Sequence, residues 1–230
     1  QDLTKWTGWE TYKSTKTLSL TGQDGEKWVY VRFTDTTKTN TSSIYGDSII
    51  LDRKKPTGTI QINGGAYITN NRDVTVDINA IDELSGIDYI EISVDNASWT
   101  NIGNTNIANA TLTTGDGVKK VYMRIRDKAG NISSTIIDSI ILDTNPPVGK
   151  VSISKQTTTP EPNDVKIILN APGAVWMKLS YDGGVTYESW ESYKTTKTVI
   201  LPDGENTISV IFKDLAGNES VPVSATINLP

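Results

Sequence analysis

Val121–Asn131 reads VYMRIRDKAGN. Apolar Val121, Met123 and Ile125 alternate with Tyr122, Arg124 and Arg126, a period of two that belongs to a half-buried β-strand. The first set is expected to face a core and the second solvent. The strand runs into Asp127-Lys-Ala-Gly-Asn131. There Gly130 can take a positive φ at no steric cost, and the Asp127 carboxylate can accept backbone N–H groups inside a tight turn. An acidic loop also invites a reading as a metal site, but a hairpin turn accounts for each of its residues and is preferred.

The same text occurs elsewhere in the chain. Ile208–Asn218 reads ISVIFKDLAGN, with Ile208, Val210 and Phe212 on the apolar face, and Trp28–Asp35 reads WVYVRFTD. In the latter Val29, Val31 and Phe33 are expected inward, and Trp28, Tyr30 and Arg32 outward. A Gly precedes each strand (Gly25, Gly117, Gly204), and SIILD closes the first two copies at Ser48–Asp52 and Ser139–Asp143. The third closes on SATINLP at the end of the chain. WETYKSTKT at Trp9–Thr17 returns as WESYKTTKT at Trp190–Thr198. A long internal repeat of this kind sets the architecture. With Pro56 and Pro146–Pro147 as junctions, it predicts the C-terminal half of a repeat over 1–54 and complete domains over 55–144 and 145–230. In the first copy the turn reads DTTKTN (Asp35–Asn40) without Gly. That predicts an altered turn there, in a tolerated surface loop.

Further strands are expected at Gly58–Ile62, Asp73–Ile81, Tyr89–Asp95, Lys150–Ser154, Asp164–Ala171 and Val175–Asp182, with no helical periodicity of useful length. Gly115–Asp116 and Gly183–Gly184 read as hairpin chemistry. About seven short strands per repeat, broken by Gly, Asn and Asp, describe an all-β chain of tandem antiparallel β-sandwiches, Ig-like or fibronectin-like.

These motifs, with SGI…ISVDNASW (Ser85–Trp99) and ILDTNPP (Ile141–Pro147), resemble the Ig-like repeats strung along bacterial secreted and cell-surface proteins. The resemblance covers essentially the whole chain. It implies full copies that start at a Pro-x-Gly segment, as Pro56-Thr57-Gly58 does, and a structural or occasionally a binding role. The first copy carries no such start.

Composition narrows the chemistry. The chain is 36% hydrophobic and 21% charged, rich in Thr, and has neither His nor Cys. Thr suits pleated surfaces. Disulfides are excluded, as are the usual nucleophilic triads, which need His or Cys, and zinc is disfavoured without either residue. Paired carboxylates remain the one catalytic option, but the acidic residues fall at turns and strand ends, so no enzyme activity and no catalytic residue is expected. A net charge of −5 argues against a nucleic-acid partner. No apolar run is long enough to span a membrane. No signal-peptide pattern is visible and the sequence opens on Gln1. That suggests a processed or excised chain, extracellular or at a cell surface.

Two sets of residues are candidates for sites. Trp6, Trp9 and Tyr12 in the first copy, and Tyr187, Trp190 and Tyr193 in the third, could stack on a sugar. Their recurrence between copies favours packing, with one Trp of each set plugging the core or covering its end. Asp52 and Asp143 end their strands at the linkers, and Asp82 precedes Ser85-Gly86. They could clamp neighbouring domains through Ca2+, although no regular Ca2+-loop spacing is present. Five Asn-x-Ser/Thr sequons (Asn40, Asn96, Asn109, Asn131, Asn218) are explained by the abundance of Asn and Thr.

Three functions fit the sequence. One is a non-catalytic spacer whose partners are other domains of the same polypeptide. Another is an adhesion or glycan-binding module for a cell-surface glycan or protein. The last is a fibre subunit that completes its half-repeat in trans. An incomplete sandwich exposes sheet edges and core. Excision from a longer array, a first copy folded on fewer strands, and strand donation by another chain each account for it.

Overall fold

The computed structural model describes residues 6–155 and 163–230. Those residues are all-β, with seventeen strands and a single 3-10 turn, Asn63–Gly65, among them. Strands β1 (Gly25–Val31) and β2 (Tyr45–Leu51) form one antiparallel pair. The next unit holds β3 (Thr57–Ile62), β4 (Ile68–Thr69), β5 (Asp73–Ile81), β6 (Ile87–Ser93), β7 (Thr100–Gly103), β8 (Ile107–Thr111), β9 (Gly117–Asp127) and β10 (Ile136–Leu142). They make two sheets, β3-β5-β8 and β4-β10-β9-β6-β7. The last unit holds β11 (Lys150–Lys155), β12 (Asp164–Asn170), β13 (Ala174–Ser180), β14 (Glu191–Ser192), β15 (Thr196–Ile200), β16 (Gly204–Asp214) and β17 (Val223–Leu229). Its sheets are β11-β12-β15 and β14-β13-β16-β17.

The expected alternation carries both sandwiches. Val121, Met123 and Ile125 from β9 are fully buried with Ile62, Val74, Val76 and Ile90. Ile208, Val210 and Phe212 from β16 are buried with Val165, Ile167, Leu169, Met177 and Leu179. The Pro-x-Gly signature has a steric cause. A Cβ on Gly149 would come within 2.2 Å of Phe212, and one on Gly58 within 2.8 Å of Ile125 Cδ1 and 2.4 Å of the Asn79 carbonyl. In each sandwich the chain therefore passes the central strand where only Gly fits, within β3 at Gly58 and one residue before β11 at Gly149.

The first unit differs from expectation. Val29, Val31 and Phe33 do not face a core, because among the described residues no second sheet covers β1 and β2: they are 37, 45 and 45% exposed. β1 also stops at Val31, with only a Thr34–Thr41 bridge beyond it. Its turn, however, keeps the repeat's geometry. Lys38 adopts the positive φ (60°) that Gly130 and Gly217 take at 95° in the other copies. Asp35 Oδ2 still accepts the Asn40 side-chain amide at 2.7 Å. The missing Gly is thus absorbed by one extra residue and a strained backbone angle.

Candidate functional site

The junctions between units are built from the same parts twice. In the second unit Asn131 donates its backbone N–H to Asp127 Oδ1 and its side-chain amide to Oδ2, both at 2.8 Å. The same side-chain amide also donates to the Asp52 carbonyl, at 3.1 Å, on the chain entering the unit. In the third unit Asn218 holds Asp214 Oδ1 at 2.8 Å and Oδ2 at 2.9 Å, and reaches the Asp143 carbonyl at 2.8 Å. Two donors on one planar amide are divided between the turn and the incoming linker. The Asp-x-Ala-Gly-Asn motif is therefore a turn, as read, and also the receptor for the preceding unit's last strand.

The linker's other side is held by the unit it leaves. Arg53 donates from Nε to Asp24 Oδ1 at 2.7 Å and from its backbone N–H to Oδ2 at 3.1 Å. Arg53 Nη2 also reaches the Gly22 carbonyl at 2.8 Å. At the second junction Thr144 Oγ1 donates to Asp116 at 2.9 Å, and the Asn145 amide bonds the same carboxylate. Asp24 and Asp116 each stand one residue before the repeat's Gly (Gly25, Gly117). Each linker is therefore bonded backward to an Asp-Gly turn and forward to an Asp-x-Ala-Gly-Asn turn, with Pro restricting the residues between.

Of the acidic candidates, the structure gathers Asp52 and Asp82 with Asp127, their carboxylate oxygens within 4.8 Å of one another. Asp127 lies in the acidic loop for which the sequence favours a hairpin turn over a metal site. Oxygen atoms so placed could hold a hard cation. Protein donors also satisfy them. Asp52 accepts N–H groups from Lys54 (2.9 Å) and Ser85 (3.1 Å), and Asp82 accepts that of Gly86 at 2.6 Å. A side-chain hydrogen bond from Ser85 leads in holding the Asp52 carboxyl below its ordinary value, against the opposing effect of burial. Asp143 lies apart at the second junction, where it accepts the Asn145 N–H at 3.1 Å. There it borders an open cleft of about 380 Å³ with Pro146, Pro147, Pro172, Gly173 and Asp214. No third carboxylate joins Asp143 and Asp214 among the described residues.

The aromatic candidates divide by role. Tyr193 packs edge-on against Phe212 at 5.9 Å, accepts the Ala171 N–H at 3.0 Å and donates to the Leu169 carbonyl at 3.3 Å. Its ring lies against the core and its hydroxyl is engaged. Trp190 lies on the outer face of its sheet beneath Lys213 (3.8 Å) and Lys178 (4.5 Å), and Glu219 pairs with both lysines. Lys178 also sits 5.5 Å from the Tyr187 ring. Trp99 is covered in the same way by Arg124 at 3.7 Å, and Trp6 and Trp9 by Arg32 at 4.5 and 5.0 Å. A cation over a Trp on the outer sheet face is thus a recurring packing device. It leaves Tyr187, Trp190 and Tyr193 without a shared open platform.

No family model matches the chain, and no curated protein matches it. Solved structures give weak similarities. Fibronectin(III)-like modules of Clostridium thermocellum CbhA are 15% identical over 74% of this chain and 94% of theirs, with a TM-score of 0.46. A two-domain fibronectin type III segment of chicken tenascin is 11% identical over 74% of this chain and 98% of its own, at 0.31. A tetra-tandem repeat from the extending region of a large adhesion protein is 15% identical over 89% of this chain, at 0.27, and the match spans 57% of that structure. At identities and scores this low, the sandwich assignment rests on the sheets themselves. No helix among the described residues is long and apolar enough to cross a membrane.

Proposed function

We propose that the chain is a non-catalytic spacer, a run of Ig-like repeats of the bacterial surface-protein type, working outside the cell as part of a larger protein. Its task is to hold neighbouring domains at a set orientation. The observation that carries this reading is the paired clasp, Asn131 to the Asp52 carbonyl and Asn218 to the Asp143 carbonyl. A linker free to bend needs no side chain dedicated to its backbone, and here both junctions have one. Linkers bonded on both sides lose the conformational freedom that lets tethered domains reorient. The clasp's hydrogen bonds come from protein donors. A Ca2+ seated on Asp52, Asp82 and Asp127 would add to the first junction and not to the second.

Replacing Asn131 and Asn218 by Ala tests the proposal. Each unit should stay folded while the spread of inter-unit orientations widens. An unchanged spread would remove the basis of the spacer reading. The glycan-binding alternative has less support, because Tyr193 is engaged with the core and lysines cover Trp190.

A further inference from the structure

The two linkers occupy the same place in the repeat and differ in chemistry. Asp52-Arg53-Lys54-Lys55-Pro56 at the first stands where Asp143-Thr144-Asn145-Pro146-Pro147 stands at the second. Three consecutive cations therefore replace a Thr, an Asn and a Pro. Adjacent basic residues occur at one other place in the chain, Lys119-Lys120. That pair lies inside β9, where Lys119 pairs with Ile140 and Lys120 with Ser139 of β10. Arg53, Lys54 and Lys55 are exposed and lie between β2 and β3, in neither strand.

The protein itself shows what recognises these side chains. Arg53 Nε is held by Asp24 at 2.7 Å, in the unit behind, and Lys54 Nζ by Glu83, in the unit ahead. Both pairs are open to solvent, with the side chains of Arg53 and Lys54 61 and 64% exposed. Ion pairs at such sites are weak and screened by salt, so another carboxylate can take either cation at little cost. Two neighbouring cations that can exchange their acidic partners suit a serine protease specific for paired basic residues, which binds the last two residues before the cut in acidic pockets. An exposed segment outside the sheet ladders is also where proteases nick folded chains. Proline then selects the bond. Pro56 has no N–H and its ring crowds the peptide bond before it, which closes Lys55–Pro56 to such an enzyme. The bond left that follows two basic residues is Lys54–Lys55. The second linker carries neither cation.

We propose that the first linker is a processing site for a serine endoprotease specific for paired basic residues, which hydrolyses Lys54–Lys55. The bond between the Lys54 carbonyl carbon and the Lys55 nitrogen breaks. Water supplies the hydroxyl to the carbon and the hydrogen to the nitrogen. The cut parts the first unit from the second and leaves both sandwich cores whole, since it falls between β2 and β3. The two ion pairs are its gate: the linker enters the enzyme's cleft when Arg53 leaves Asp24 and Lys54 leaves Glu83. The inference is independent of the spacer reading, which concerns the angle between units.

The test incubates the full chain with a subtilisin-type endoprotease selective for paired basic residues and reads the new chain ends by mass spectrometry. A peptide of residues 49–58 serves as the unfolded reference. We expect one early cut in the full chain, after Lys54, with Lys119-Lys120 intact. Arg53→Thr with Lys54→Asn, the residues of the second linker, should abolish it. Asp24→Ala with Glu83→Ala should speed it severalfold. A folded chain left uncut while the peptide is cleaved, a peptide that is itself resistant, or a first cut at Lys119-Lys120 would each overturn the proposal. So would cleavage of the Asp24→Ala, Glu83→Ala chain at the parent's rate, because the ion pairs would then gate nothing.

Discussion

The side-chain amide of Asn218 donates to the backbone carbonyl of Asp143 at 2.8 Å, across the boundary between two sandwiches. The other amide proton is spent inside the turn on Asp214, which is buried. One side chain therefore fixes both the shape of a turn and the place where the previous unit's last strand must end. On the spacer reading, orientation between units is a property of the repeat and not of a free linker. Loss of this side chain should be felt in two places.

Asn218→Ala leaves a buried Asp214 oxygen without its side-chain donor and frees the Asp143 carbonyl. The expected cost to the third unit is about 1–3 kcal/mol, the range for orphaning a buried polar group. Denaturant unfolding followed at Trp176 and Trp190 would check it. Asn131→Ala should act likewise on the second unit, whereas Asn40→Ala, on an exposed turn, should cost less.

Gly149→Ala places a methyl within 2.2 Å of Phe212. Overpacking of this kind costs about 1–3 kcal/mol. The melting temperature of the third unit should fall, and Phe212→Leu in the same chain should recover part of the loss. A Gly149→Ala protein as stable as the parent would contradict the steric account of the Pro-x-Gly signature.

Tyr193→Phe removes a hydroxyl that bonds Ala171 and Leu169 while keeping the ring against Phe212. Stability should drop by about 1 kcal/mol, the net worth of a hydrogen bond. Screening against simple glycans should show no saturable binding by either protein. A ligand lost on Tyr193→Phe would restore the glycan reading.

Asp95 and Asp182 sit at matching turns. Each carboxyl lies well below the ordinary value of 3.8, Asp95 through the backbone N–H groups of Ser98 and Ala97, and Asp182 through the hydroxyls of Ser180 and Thr186. A carboxylate whose folded-state value is depressed stabilises the fold above its unfolded-state value and loses that contribution as pH falls toward the folded one. Stability should hold from neutral pH to about pH 5 and decline as pH drops through 3.8 and below. Asp95→Asn with Asp182→Asn should flatten the decline. A decline of the same steepness in this double variant would contradict the assignment.

Much of the fold was legible because the period of two in Val121–Asp127 and Ile208–Asp214 reports directly on a one-sided burial pattern. The strands β4, β7, β8, β14 and β15 were not anticipated, being two to five residues long and too short to show a period. Val29, Val31 and Phe33 carry the same alternation yet lie exposed. A pattern reveals which face is apolar, not whether a second sheet is present to cover it. The clasp was hidden for another reason. Asp127–Asn131 is fully accounted for as a hairpin, so nothing local called for a second role for Asn131. The usable signal was the joint recurrence of that Asn with the SIILD Asp that precedes each linker. Asp52 and Asp82 did meet, but Asp127 rather than Asp143 completes the group, because the chain folds the turn of one unit onto the last strand of its predecessor.

The central claim is that the clasps fix the angle between units. It is tested most directly by double electron–electron resonance between spin labels on Asn109→Cys and Lys166→Cys, exposed strand positions in the second and third units. The chain has no cysteine of its own to interfere. A single narrow distance distribution that broadens severalfold on Asn218→Ala is the predicted result. A distribution already broad in the clasped chain, and unchanged by Asn218→Ala, would contradict it.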